Sequence, residues 1–219
     1  MVEVGKRVYR SELREEQARA TRRRVVDAAA ALFIERGFAA STIDAVADAA
    51  GVSRKTVFTA VGGKVELLKL AYDYATAGDD EPLTMAQRPA LQDVMALGRT
   101  DPRAAFRLWA GFVTELGGRI GALHLALRAA AEVDPEAGAL FRRWEQQRVA
   151  SMRTGPVAQL EEADLLRPEV SPDEAAAILA LLVDPALYQT LVVENRWPVE
   201  RFRTWLARTL VEQVIRPDS

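Results

Sequence analysis

The segment from Thr42 to Leu68 constrains the fold of this chain more than any other. It begins with apolar residues at helical spacing, which predict a short amphipathic helix: Ile43, Val46, Ala47 and Ala50. Gly51-Val52-Ser53 then interrupts the pattern. Gly51 can adopt the positive φ of a sharp turn, Val52 can fill the corner between two helices, and Ser53 can cap the next helix. The segment therefore predicts a helix-turn-helix followed by one more helix.

The residues after the turn indicate a binding surface for nucleic acid. Arg54, Lys55 and Thr56 occupy the first turn of the predicted second short helix. In a helix-turn-helix this helix enters the major groove by its N-terminal end, where arginine or lysine can pair with guanine or bind phosphate. A solvated helix surface is the alternative for the same residues, but the turn before them favours contact with DNA.

Positions on either side of the turn complete the candidate DNA-binding set. Thr42 is predicted to cap the helix before the turn, although Ser41 could serve instead. Lys64 begins the next helix, where the amide groups and the ammonium group together favour a phosphate over a purely solvated lysine. Phe58 is predicted to pack, with a sugar or a thymine methyl as the alternative contact. The full set is Thr42, Ser53, Arg54, Lys55, Thr56, Phe58, Thr59 and Lys64.

The composition limits the chemistry that the chain can carry out. The 219 residues include no cysteine, so the chain cannot form disulfides or thiolate metal sites. They include one histidine, too few for a metal site built from histidines. No carboxylate pair stands at a spacing that indicates acid–base catalysis, so we expect no enzyme, cofactor or metal centre. The sequence has no apolar run long enough to span a membrane and no apolar signal segment, which predicts a cytoplasmic protein without membrane contact.

Charge and turn residues predict two domains. Residues 1–78 carry 13 lysines and arginines against 10 acidic residues, whereas residues 79–219 carry 16 against 21. A basic head on an acidic body suits a protein that meets a polyanion at one end, although an excess this small can arise by chance. The run from Gly78 to Pro82 marks the expected boundary, with a DNA-binding domain over 1–78 and a second domain over 79–219.

Both domains are predicted to be helical. We expect an irregular arm over residues 1–10 and one long helix from Ser11 to about Arg36, ended by Gly37. The basic residues of the arm and the first turns either enter the minor groove or belong to a disordered tail: Lys6, Arg7, Arg10, Arg14 and Arg19. Arg22, Arg23 and Arg24 are interpreted as a solvated helix surface.

The sequence indicates where the helices of the body begin. A capping side chain precedes a proline at four places: Asp101-Pro102, Asp134-Pro135, Ser171-Pro172 and Asp184-Pro185. Pro198 is predicted to open the last helix, which runs to about Ile215. The glycines at 117, 118 and 121 predict a break or bend in the helix that starts at Pro102.

Aromatic and apolar residues of the body indicate a cavity for a small, largely apolar ligand. Such a cavity has mostly apolar walls and a few polar groups, but a filled core has the same composition and is the more frequent meaning of each residue. The histidine could orient a ligand, with a satisfied core or surface histidine as the alternative. The candidates are Phe106, Trp109, Phe112, Val113, His124, Leu127, Trp144, Gln147 and Met152.

These motifs resemble the TetR family of transcriptional regulators. The resemblance rests on four segments of the head: Phe33…Arg36-Gly37-Phe38, Thr42-Ile43, Ala49-Ala50-Gly51-Val52-Ser53 and Lys64…Glu66-Leu67-Leu68. It implies an all-α chain with an N-terminal three-helix DNA-binding head and a larger helical body that binds an effector and dimerises. The chain departs from the family at Phe58, usually a tyrosine that contacts phosphate, and at Gly63, usually a serine.

The resemblance favours a dimer interface on the last two helices of the body. Two apolar helices from each chain would form a four-helix interface, and packing within one chain is the alternative. The candidate residues are Ile178, Leu181, Leu182, Tyr188, Phe202, Trp205, Leu206 and Leu210.

Together these expectations describe a homodimeric, ligand-responsive repressor that binds a pseudo-palindromic operator in double-stranded DNA. Two alternative functions remain open. A protein-interaction module with the same fold but no operator binding is supported by the departures at Phe58 and Gly63. An all-helical enzyme is the other, for which the sequence offers few parts.

Overall fold

The computed structural model describes residues 3–78 and 87–217, with side chains from residue 14 onward. Its helices are α1 (Glu3–Ala40), α2 (Ile43–Ala50), α3 (Arg54–Ala60), α4 (Lys64–Ala77), α5 (Pro89–Gly98), α6 (Pro102–Val133), α7 (Pro135–Met152), α8 (Ala158–Glu162), α9 (Pro172–Leu182), α10 (Pro185–Tyr188) and α11 (Val199–Val214). Two π-helical segments, Arg153–Val157 and Gln189–Glu194, follow α7 and α10. β pairing over these residues amounts to an isolated bridge between Leu166 and Ile215. The all-α prediction is confirmed.

The described residues form two compact units. The first contains the residues up to Tyr74 together with Ala126–Gly138, the end of α6 and the start of α7. The second contains Ala75–Leu125 and the residues from Ala139 onward. The boundary predicted between residues 78 and 79 adjoins residues 79–86, which lie outside the described residues, and it stays a prediction.

The first helix starts earlier than the sequence predicts. Its backbone is helical from Glu3, so the irregular arm is wrong for residues 3–10, whose side chains lie outside the described ones. Residues 3–10 contain no proline, and four of them, Glu3, Lys6, Arg7 and Arg10, are good helix formers, so the helix can extend towards the N-terminus. Gly37 interrupts α1 with φ 77° and ψ 164°, a conformation that suits glycine, and Phe38 then packs on Phe33 with ring centroids 5.6 Å apart.

The body helices begin where the sequence predicts, because each start has its own cap. α6, α7, α9 and α10 all have proline as their first residue. The side chain before each proline accepts main-chain N–H groups of the first turn: Asp101 from Ala104, Asp134 from Glu136 and Ala137, Ser171 from Glu174, and Asp184 from Ala186. The last helix begins at Val199, one residue after Pro198.

The predicted break at the glycines of α6 is wrong, because the helix is continuous from Pro102 to Val133. The glycines instead allow a close approach of another element. A Cβ on Gly117 would lie 2.7 Å from Cβ of Tyr188, and a Cβ on Gly121 would lie 2.3 Å from Nε2 of Gln189. The end of α10 therefore packs directly against the backbone of α6.

The core of the second unit consists of apolar side chains from α5, α6, α8, α9 and α11, together with Val157 of the first π-helical segment and Ile215. Phe106 and Trp109 of α6 lie next to each other, with ring centroids 5.6 Å apart, in the same cluster as Leu179 of α9 and Leu206 of α11. Among the described residues no single helix is long and apolar enough to cross a membrane. The bent pair Pro172–Leu182 and Pro185–Glu194 passes by length and composition together.

Candidate nucleic-acid interface and effector region

The turn between α2 and α3 has the geometry that its sequence predicts. Gly51 has φ 66° and ψ 39°, and its N–H group donates to main-chain carbonyls at the end of α2. The side chain of Thr42 accepts the N–H of Ala45 and caps α2, so Thr42 rather than Ser41 is the cap. Ser53 accepts the N–H of Thr56 at 3.1 Å and caps α3. Both ends of the turn are thus fixed by local hydrogen bonds.

The third helix turns its polar side chains away from the core. Val57 is fully buried and anchors α3 to its neighbours, whereas Ser53, Arg54, Lys55 and Thr59 are exposed. Thr59 donates its hydroxyl to the main-chain carbonyl of Lys55 at 2.9 Å. The result is a short exposed row of donors and cations on one helix.

Arg54 is held between two side chains. Its Nη1 donates to Oδ2 of Asp44 at 2.7 Å, and its guanidinium carbon lies 5.7 Å from the ring centroid of Phe58. Asp44 belongs to α2 and Phe58 to the next turn of α3, so the contact bridges the helix-turn-helix. Phe58 is 47% exposed and does not take the packing role predicted for it.

Lys64 begins α4 but bends back to the end of α1. Its Nζ donates to the carbonyl of Ala39 at 3.3 Å and lies 4.2 Å from the ring centroid of Phe38. Partial burial lowers the pKa of Lys64, and the charge of Asp134 opposes that change. The N–H of Gly63 donates to Oε2 of Glu66, which is one half of a capping box; the other half, in which a serine hydroxyl would accept the N–H of Glu66, has no side chain at Gly63 to form it.

A groove beside α3 is lined by Arg22, which the sequence indicates to be solvated helix surface, and by Arg19, for which the minor groove and a disordered tail are the two alternatives. It has a volume of about 470 Å³, and its walls come from α1 and α3: Arg19, Thr21, Arg22, Thr56, Thr59 and Ala60 are among its residues. Arg19 and Arg22 stand three residues apart and therefore share one face of α1. The spacing of three between Arg19 and Arg22 is visible in the sequence and indicates a shared helix face. It is hard to recognise there because Arg22 also belongs to the consecutive run Arg22-Arg23-Arg24.

The residues predicted to line one effector cavity fall into separate groups. Phe106, Trp109 and Val113 are buried in the core of the second unit, and Phe112 and Met152 pack against that core. Leu127 is buried too but belongs to the first unit. Gln147 is exposed, because it lies on the outer face of α7, and Trp144 is half-buried.

His124 is buried, but it lies in a polar cluster of the second unit with half-buried partners instead of in an apolar wall. Its Nε2 is 3.2 Å from Oδ1 of Asp184, and its ring centroid is 5.8 Å from that of Phe141. Arg148 donates to Asp184 at 2.8 Å and to Glu145 at 2.6 Å. Burial raises the pKa of Asp184, but the hydrogen bond from His124, the charge of Arg148 and the N–H of Ala186 outweigh it and lower the pKa to about 2.

The same cluster contains three side chains of types that bind metal ions. One ligand atom each from His124, Glu145 and Asp184 lies within 4.8 Å of the others. The guanidinium of Arg148 bonds to both carboxylates and already offsets one of their two negative charges. The donor set is therefore satisfied by a protein cation and does not fit a metal ion without displacement of Arg148.

The predicted dimer residues divide between the core and the surface. Phe202, Leu206 and Leu210 are buried inside the chain, because the inner face of α11 packs on α6 and α9, so their assignment to an intermolecular surface is corrected. Leu181 is 67% exposed on α9. The remaining candidates are half-buried against the core: Ile178, Leu182, Tyr188 and Trp205.

Comparison with known proteins shows which bacterial regulators this chain is similar to. The sequence model described as "Bacterial regulatory proteins, tetR family" matches residues 25–71. The uncharacterized HTH-type transcriptional regulator TtgW of Pseudomonas putida is 40% identical over 53 residues, which are 24% of this chain and 40% of that protein. The chain thus matches less than half the length of this curated relative.

Two solved repressors share the fold over most of their length. NalD, the secondary repressor of the MexAB-OprM multidrug efflux pump in Pseudomonas aeruginosa, superimposes with a TM-score of 0.69 at 19% identity, over 91% of this chain and 99% of that one. SmeT, the repressor of the Stenotrophomonas maltophilia pump SmeDEF, solved as a triclosan complex, gives 0.65 at 20% identity, over 90% and 93%. At these identities the likeness concerns the fold alone.

Proposed function

We propose that the chain is a ligand-responsive repressor that binds operator DNA as a homodimer, a function supported by the match of residues 25–71 to the tetR family of bacterial regulatory proteins. The observation that carries this proposal is the exposed row on α3 directly after the tight turn at Gly51. A helix-turn-helix places such a row in the major groove, where side chains reach the base edges.

Further contacts of the head are proposed to go to the DNA backbone. Lys55 is exposed in the first turn of α3, and Arg19 and Arg22 line the groove beside it. Phosphate contacts of this kind fix the position of the protein on the duplex and contribute most of its salt-dependent affinity. Thr42, Ser53 and Thr56 already serve as caps or cap partners, and their hydroxyls add donors at the same surface.

The proposed dimer uses the outer faces of α9 and α11, since their inner faces are occupied by the core. Leu181 is its centre, because this exposed leucine leaves apolar surface to cover on a helix whose inner face is buried. A two-fold axis through this surface would place two heads on half-sites about one helical turn, ~34–36 Å, apart.

The proposed effector is a small, largely apolar molecule that binds in the body. The solved SmeT complex contains triclosan, and SmeT and NalD are repressors of multidrug efflux pumps. An effector that binds one arrangement of the two heads more tightly than the other weakens DNA binding by that difference in affinity. Phe112 and Met152, at the edge of the apolar core, are the side chains best placed to move for it.

A gel-shift experiment with the DNA upstream of the protein's own gene tests operator binding. We expect salt-sensitive, sequence-selective retardation that Arg54→Ala with Lys55→Ala abolishes. Arg24→Ala with Lys69→Ala is the matched control, because it removes the same two charges from exposed positions of the head away from α3. Equal weakening by the two double variants, or no selective binding by the wild type there or elsewhere in the genome, would favour the protein-interaction module.

A further inference from the structure

Arg54 is oriented by two side chains before any partner arrives. Asp44 accepts a hydrogen bond from Nη1 at 2.7 Å, and the ring of Phe58 lies 5.7 Å from the guanidinium carbon. Both members of the Arg54–Asp44 ion pair are well exposed, with 60% and 61% of their side chains accessible. An exposed pair of this kind contributes little to stability, so its geometry is more informative than its energy.

The contact leaves the guanidinium with donors to spare. A guanidinium has five N–H groups in one plane, and the bond to Asp44 uses Nη1. The described part of the chain shows no second hydrogen bond from this side chain. The edge formed by Nη2 and Nε is thus left for a pair of acceptors, which is the arrangement that guanine O6 and N7 present in the major groove.

The same carboxylate makes Arg54 unsuitable for the DNA backbone. A phosphate that bonded to this guanidinium would lie within a few ångströms of the Asp44 carboxylate, and the two anions would repel each other. Base edges carry no net charge and avoid that repulsion. Lys55, the next residue, is exposed and has no ion pair among the described residues, so it suits a phosphate better than Arg54 does.

We propose that Asp44 and Phe58 are positioning residues that direct Arg54 to a guanine edge and make it the specificity-determining residue of the head. The proposal deepens the operator binding proposed above and rests on it. It also accounts for phenylalanine at position 58: the ring is a platform for the Arg54 guanidinium, a role in which a phosphate-binding hydroxyl is not needed.

The test is a base-by-base comparison of binding with the full chain and one selected operator. Each base pair of a half-site is replaced in turn, and Kd is measured by fluorescence anisotropy at constant salt. We expect the wild type to discriminate at one G·C pair by roughly 5- to 150-fold, the range of one bidentate contact, and Arg54→Ala to lose that preference alone. Lys55→Ala should weaken binding to every variant site alike and reduce the salt slope by about one.

Asp44→Asn is the decisive variant. It should reduce discrimination at the Arg54-dependent base pair by about fivefold or more and leave the other positions within about twofold. Asp48→Asn is the matched control, because Asp48 is exposed on the same helix and its substitution removes the same charge. Any general gain in affinity from the lost charge should appear in both variants. Phe58→Leu, which removes the aromatic face, should act like Asp44→Asn.

The possible outcomes distinguish failure of the positioning role of Asp44 and Phe58 from failure of operator binding. Selective binding by the wild type, with unchanged base preference in both Asp44→Asn and Phe58→Leu, overturns the positioning role and leaves operator binding intact. Uniform weakening by Arg54→Ala across all sites shows a phosphate contact and also overturns it. A wild type without sequence selectivity overturns operator binding and this inference together.

Discussion

The close approach of α10 to α6 gives a prediction whose size follows from the structure. Gly117→Ala would place a Cβ 2.7 Å from Cβ and 2.9 Å from Cγ of Tyr188, well inside normal carbon–carbon contact. The Tyr188 Cβ is attached to the backbone, and the ring is held edge-on against Phe202 at 5.5 Å, so α10 must shift. Overpacking of this kind costs about 1–3 kcal/mol, against a gain of about 1 kcal/mol from helix propensity.

Gly111→Ala is the matched control on the same helix. A Cβ there meets nothing within 4 Å, so only the propensity term acts, and we expect stabilisation by about 0.5–1 kcal/mol. Gly121→Ala should fall between the two, because the atoms nearest to its Cβ are Nε2, Cγ and Cδ of Gln189, which a change of side-chain rotamer can move away without a shift of the backbone. The series ranks the three glycines by what they contact.

Urea unfolding followed by circular dichroism measures this series. Protein concentration is held constant, because dimerisation would couple to unfolding. Because the propensity gain is common to both variants, we expect Gly117→Ala to be about 1–3 kcal/mol less stable than Gly111→Ala. Equal free energies of unfolding for these two variants would refute the direct packing of Tyr188 on the α6 backbone.

Three further predictions concern other parts of the chain. Ser41→Ala should lower the free energy of unfolding by about 1–3 kcal/mol, because the buried hydroxyl lies 3.0 and 2.8 Å from two main-chain carbonyls of α1; Ser41→Thr is the comparison that keeps the donor. Leu181→Glu should shift the chain from dimer to monomer in light scattering, whereas the exposed Leu108→Glu should not; a dimer in both would move the interface elsewhere. The pKa of Asp184 is lowered from 3.8 to about 2, so its carboxylate stabilises the fold above about pH 4 by about 1–2 kcal/mol after screening, and this is lost as the pH falls through about 2. Asp184→Asn should flatten that pH dependence in denaturation curves, and an unchanged slope would contradict the assignment.

Features determined by neighbouring residues were predicted correctly from the sequence. The turn at Gly51 and the caps at Thr42 and Ser53 follow from local conformational needs. Each capped proline of the body likewise marks a helix start, because cap and proline act within one turn. Such features require no knowledge of what packs against them.

Features determined by distant residues were not predicted. When only helix propensity is considered, Gly117 predicts a break in α6. The structure shows why a glycine stands there: Tyr188, far along the chain, packs where a side chain would be. The apolar period of α11 shows that one face is buried and does not show whether the partner is the same chain, so Phe202 was assigned to an interface. Arg54 and Asp44 are ten residues apart across a turn, and no periodicity connects them.

Selection from a pool of random double-stranded DNA with the full chain, at about physiological salt, tests the central claim most directly. The proposed homodimer predicts enrichment of two inverted half-sites whose centres lie about 10–10.5 bp or a multiple apart, each with a G·C pair that Arg54→Ala no longer selects. A pool that stays random after repeated rounds would contradict operator binding.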